Sequence, residues 1–174
     1  MKPILLLFWQ ICRLKVGPEH VPNETWFVFF VIAGNLLCVL LVSAFASTEL
    51  ADPQNRENFS LLATATGIVV GQTTTAVLTW LALQLRQLGN RFFATITALF
   101  GTDMLITACL GAMLVVLSLI PGEEAFVILP FLIWSIGVMG FILHRSLGVQ
   151  LFTGILAAFG ISIISTIMTM ASTS

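Results

Sequence analysis

The chain has no tyrosine, only two histidines and only three cysteines in 174 residues. Charged residues make up 9% of it, where a soluble domain carries roughly 25%. So few charges cannot clothe a wettable surface, and lipid is therefore the expected solvent. A net charge of −1 excludes a nucleic-acid binder resting on a broad basic field. Cys12, Cys38 and Cys109 form no CxxC pair, and two of them fall inside apolar runs. They read as small hydrophobes rather than as redox or metal residues. His20 and His144 stand on separate segments with no Cys or acid at ligand spacing, so no metal site is expected. The patterns GxSxG, HExxH and GxxxxGKS/T do not occur. Neither enzymatic activity nor a cofactor is expected. Any function has to operate in or beside the bilayer.

What the sequence does have is apolar length. Hydrophobic residues make up 58%, and mean hydropathy is +1.05. The expectation is a single all-α integral membrane domain over residues 1–174, a bundle of five transmembrane helices. The spans are placed at 26–47, 60–83, 92–120, 125–143 and 147–169, each long enough for about 30 Å of hydrocarbon.

Ahead of them, residues 2–16 hold an apolar run from Ile4 to Trp9 that is too short to cross. No small-residue cleavage site follows it, so a signal peptide is not expected. Lys2, Gln10 and Arg13 share one side of a helical wheel. The segment is either an interfacial amphipathic helix lying in the headgroup plane or a lead-in helix that docks on the bundle. Gly17-Pro18 then breaks the helix. Asn23 suits an N-cap, with Glu24 in the first turn, and Trp26 marks the membrane edge.

The connections carry the charge. Residues 48–58 hold Glu49, Asp52, Arg56 and Glu57, and a Gly89-Asn90 turn lies between Arg86 and Arg91. Pro121-Gly122 ends the third span. Glu123 and Glu124 open the fourth, where negative charge suits a helix N-terminus. Pro130 is expected to bend that span. His144-Arg145-Ser146 reads as a tight basic connection. Six cations (Lys2, Arg13, Lys15, Arg86, Arg91, Arg145) fall on one side of the five-span arrangement and Arg56 alone on the other. The positive-inside rule then puts the N-terminus in the cytoplasm and the C-terminus outside.

Asp103 is the one carboxylate inside a long apolar run. It lies twelve residues past Arg91, or about 18 Å at 1.5 Å per residue, near the bilayer midplane. Asn35 and Gln72 reach a similar depth on the first and second spans, and Ser135 is a further candidate on the fourth. Asp103, Thr107 and Gly111 make an i, i+4, i+8 stripe; Gln72, Thr75 and Thr79 make another. Such faces turn into a bundle, because lipid offers no hydrogen-bond partner. Asp103 is expected to meet Gln72 or Asn35. Two readings stand open: a proton or ion relay or substrate contact, or interhelical glue fixing helix register. Gly67 and Gly71 form a GxxxG, and Gly154, Ala158, Ser162 and Thr166 recur every fourth residue. Both read as helix-packing faces, within the monomer or in a homodimer.

The stretch Ile133-Trp134-Ser135-Ile136, continuing through His144-Arg145-Ser146-Leu147-Gly148 to Ala157, resembles the Yip family of small membrane proteins. So do Phe100-Gly101-Thr102-Asp103 within Thr95–Leu110 and the five closely spaced spans. No aromatic-Gly-Pro motif precedes the first span, and the resemblance is to bacterial members. It implies a bacterial inner-membrane protein with no established chemistry. The first functional expectation is a non-enzymatic multi-pass protein that scaffolds or regulates a membrane partner. The alternative is a small transporter or channel subunit using Asp103, Gln72 and Asn35.

Overall fold

The computed structural model describes residues 4–21, 24–49, 60–117 and 124–173. Six α-helices follow one another: α1 Ile4–Cys12, α2 Thr25–Glu49, α3 Leu61–Leu85, α4 Phe92–Leu117, α5 Glu124–Leu147 and α6 Leu151–Thr173. Two short 3-10 turns, Pro18–His20 and Gly89–Arg91, precede α2 and α4. No strand occurs among the described residues. The N-cap expected at Asn23, Lys2 on the α1 wheel, residues 50–58 of the polar connection and the Pro121-Gly122 stop lie outside the described residues; the start of that connection, through Glu49, is the last turn of α2.

Five of the helices are long and apolar enough to cross a membrane. Their outer faces carry Phe29, Phe30 and Leu41 on α2, Leu62 on α3, Val116 on α4, Leu132 on α5 and Phe152 and Phe159 on α6, all exposed. Exposed apolar surface on all five is intolerable in water and required in lipid. This is a multi-pass membrane protein.

The five long helices form a ring in the order α2, α4, α5, α6, α3. The broadest contacts pair α5 with α6, α3 with α6, and α2 with α4. The contact between α4 and α5 joins the two halves, and a thinner one between α2 and α3 closes the circle. The α3–α6 seam is built on the GxxxG. Gly67 and Gly71 are buried, and a Cβ on Gly71 would stand 2.6 Å from Thr169 Oγ1. Ser165 Oγ donates to the Gly71 carbonyl at 2.6 Å, and Thr169 Oγ1 donates to the Gly67 carbonyl at 3.3 Å. The α5–α6 seam is equally close: a Cβ on Gly154 would fall 2.5 Å from the Gly140 carbonyl oxygen, and Ala158 is fully buried.

The turn between α5 and α6 differs from expectation. His144, Arg145 and Ser146 are not a connection; they are the last turn of α5, which runs to Leu147. Gly148, at φ +62°, reverses the chain in a left-handed conformation that costs glycine nothing. The following helix therefore starts at Leu151 rather than Leu147. His144 and Arg145 suit the carbonyl end of a helix through its dipole, and His144 Nδ1 bonds the Val149 carbonyl. Pro130 lies inside α5.

Of the two placements for the N-terminal segment, docking on the bundle holds. Phe8, Ile11 and Cys12 are at most 2% exposed. Phe8 stacks on Phe27 with ring centroids 6.4 Å apart and covers Gly101, where a Cβ would lie 2.4 Å from its ring. Cys12 Sγ donates to the Thr102 carbonyl at 3.9 Å, and Trp134 Nε1 donates to the Cys12 carbonyl at 3.1 Å. Arg13 and Lys15 stay exposed beyond the end of the helix. The docked ridge meets α4 at Gly101 and Thr102, near the middle of that span. α1 is thus a wedge braced against α2, α4 and α5.

Candidate intramembrane polar site

Asp103 stands on α4, and Asn35 on the neighbouring α2. The two helices are broadly packed, and that contact brings the two side chains together. Asn35 Nδ2 donates to Asp103 Oδ2 at 3.1 Å. Asn35 is fully buried, and its own carbonyl oxygen Oδ1 has no partner among the described residues. Beside this pair, Cys38 Sγ donates to the Met104 carbonyl at 3.7 Å, a second polar link between the same helices.

Gln72 is not hydrogen-bonded to Asp103. It lines, with Asp103, a cavity of about 350 Å³ in the middle of the ring. Its Nε2 is buried with no partner among the described residues. Thr75, Thr102, Ser135 and Ser162 add hydroxyls to that cavity. A second cavity, of about 510 Å³, adjoins it between α4, α5 and α6. Thr107 lines this one, a helical turn beyond Asp103. Asp103, Ser135, Ser162 and Thr166 border both. Asp103 therefore stands at the junction of two cavities. No Lys, Arg or His lines either of them.

The stripes expected from spacing divide between packing and lining. Gly154 and Ala158 pack on α5, whereas Ser162 and Thr166, farther along the same helix face, open into the cavities. Gln72 faces the cavity, Thr75 Oγ1 pairs with Ser165 Oγ at 3.1 Å, and Thr79 is fully buried. Ser165 and Thr169 escaped the sequence reading. Hydroxyls that can bond their own helix, as Thr169 does to the Ser165 carbonyl, give no outward signal that they also bond a neighbour.

The chemistry available is narrow and definite. The carboxyl can take or release a proton. The buried amide of Gln72 offers an unused donor, and that of Asn35 an unused acceptor. The surrounding hydroxyls can do either. Among the described residues no three His, Cys, Asp or Glu side chains group to hold a metal ion.

No protein-family model, no curated protein and no solved structure matches this chain. The functional reading therefore rests on the site itself.

Proposed function

We propose that this protein is a small transporter or channel subunit in which Asp103 takes up a proton or small cation from the adjoining cavities. One observation supports this above the others: the only carboxylate within the spans borders two cavities and has no basic partner there. Its bond to Asn35 engages one carboxylate oxygen, which leaves the other for a ligand. An acid serving only as glue would be expected in a closed contact, without cavities on its flank.

The scaffold reading loses support by comparison. It drew on small-residue faces that a partner helix or second copy could use. Gly67 and Gly71 are filled by Ser165 and Thr169 of the same chain, and Gly154 by α5. The Yip-like layout bears on topology alone and is compatible with this function.

Single cysteines in a cysteine-free background test the cavity. Thiols react as thiolates, which need water. Cysteine at Ser135, on the cavity wall, reacts with a small methanethiosulfonate reagent. Cysteine at Ile133, which is 62% exposed on the outer face and so in lipid, does not. Protection of both positions would refute a hydrated cavity.

The proposed setting is a bacterial inner membrane with a cytoplasmic N-terminus. Arg91, Arg145 and the Pro18–Glu19 turn share one end of the bundle, in keeping with the cation count. Alkaline phosphatase fused after Ser174 is then active and at Gly89 inactive; the reverse pattern would invert the orientation.

A further inference from the structure

A third cavity, of about 530 Å³, lies at the cation-rich end of the bundle, between the Pro18–His20 turn, the start of α4 and the end of α5. Arg91 and Arg145 line it from two different helices, together with Asn90, Thr95 and Ser146. We propose that it binds a phosphate oxyanion, presented by an anionic phospholipid headgroup or as free phosphate.

Four observations converge. First, the site brings two guanidinium side chains to one cavity, and guanidinium matches phosphate oxygens in a two-pronged geometry. Second, both arginines flank the ends of membrane spans, the level at which lipid phosphates lie. Third, the cavity wall carries a built polar floor. Ser146 is 2% exposed and Thr95 is 1% exposed; Thr95 Oγ1 donates to the Arg91 carbonyl at 2.8 Å and pairs with Ser146 Oγ at 2.9 Å. Asn90 adds an amide at the rim.

Fourth, a carboxylate already occupies part of the site. Glu19 Oε1 lies 3.4 Å from Arg145 Nη2, and both side chains are about half exposed, at 49% and 46%. Such an exposed pair is weak and yields to a doubly bonded phosphate. Two guanidinium groups against one carboxylate leave the cavity with a net positive charge. Glu19 is thus a competitor built into the chain, on the turn that leads from α1 into α2. Phosphate binding displaces it from Arg145.

The test uses the full-length protein purified in a non-ionic detergent and native mass spectrometry. The probes are phosphatidylglycerol and inorganic phosphate, added separately and together. Arg91→Gln and Arg145→Gln each weaken retention of the bound probe about fivefold, the effect of one cation near a membrane surface. Glu19→Gln raises retention by a similar factor, a gain that misfolding cannot produce. If inorganic phosphate displaces phosphatidylglycerol, the site serves the free anion as well. If it does not, the site is a lipid site; either result upholds the oxyanion assignment. Equal retention of both probes by the wild type, Arg145→Gln and Glu19→Gln overturns it.

Discussion

Gly71→Leu destabilises the bundle by about 3 kcal/mol, at the upper end of the usual cost of overpacking a close contact. The first added carbon alone would meet Thr169 Oγ1 at 2.6 Å. The rest of the side chain forces α3 away from α6. Three links across that seam then fail together: Ser165 to the Gly71 carbonyl, Thr169 to the Gly67 carbonyl, and Thr75 with Ser165. Gly160→Ala, on α6 itself, is the control, because a Cβ there meets nothing within 4 Å. Reversible unfolding in mixed micelles with increasing sodium dodecyl sulfate reads both. Near-equal midpoints for the two variants would show that the α3–α6 seam is not built on this contact.

Asn35→Leu removes the one described hydrogen-bond partner of the Asp103 carboxyl. Leaving a buried polar group unsatisfied costs about 1–3 kcal/mol. Interhelical hydrogen bonds in membranes are worth less, about 0.6 kcal/mol on average and at most about 1.7, so the expected loss is about 1 kcal/mol. The stronger statement concerns the double variant. Replacing both partners by apolar groups of similar shape is nearly neutral, so Asn35→Leu with Asp103→Leu recovers most of the loss. Asp103→Asn keeps an acceptor for Asn35 Nδ2 and leaves stability within about 0.5 kcal/mol of wild type, the range of substitutions that disturb no such feature. The same unfolding assay measures all four proteins. A double variant no more stable than Asn35→Leu alone would mean that the two residues are not coupled.

Several features were legible before the structure because their physics is local. A carboxylate in an apolar run must find a partner inside the bundle, and counting residues from the flanking polar groups set its depth. That placed Asn35, Gln72 and Asp103 at one level. It could not choose between the two amides. The choice follows from the order of helices around the ring, where α4 lies against α2, which is not its neighbour in sequence. The α5–α6 turn was misplaced for the opposite reason. The polar triplet His144-Arg145-Ser146 resembles a loop, yet the reversal is made by the backbone of Gly148 and the triplet completes a helix. For α1 the sequence left docking and an interfacial placement equally open. Its apolar side was visible, but the fit of Phe8 over Gly101 depends on two positions more than ninety residues apart.

Stability and function separate at Asp103, because asparagine keeps the Asn35 bond but cannot exchange a proton. The decisive measurement is proton or monovalent cation flux into liposomes containing the purified protein, driven by an imposed gradient. Wild type gives flux above that of empty liposomes, and Asp103→Asn, folded to the same stability, abolishes it. Equal flux from the two proteins, or wild-type flux no greater than that of empty liposomes, would contradict the proposed role of the cavities around Asp103.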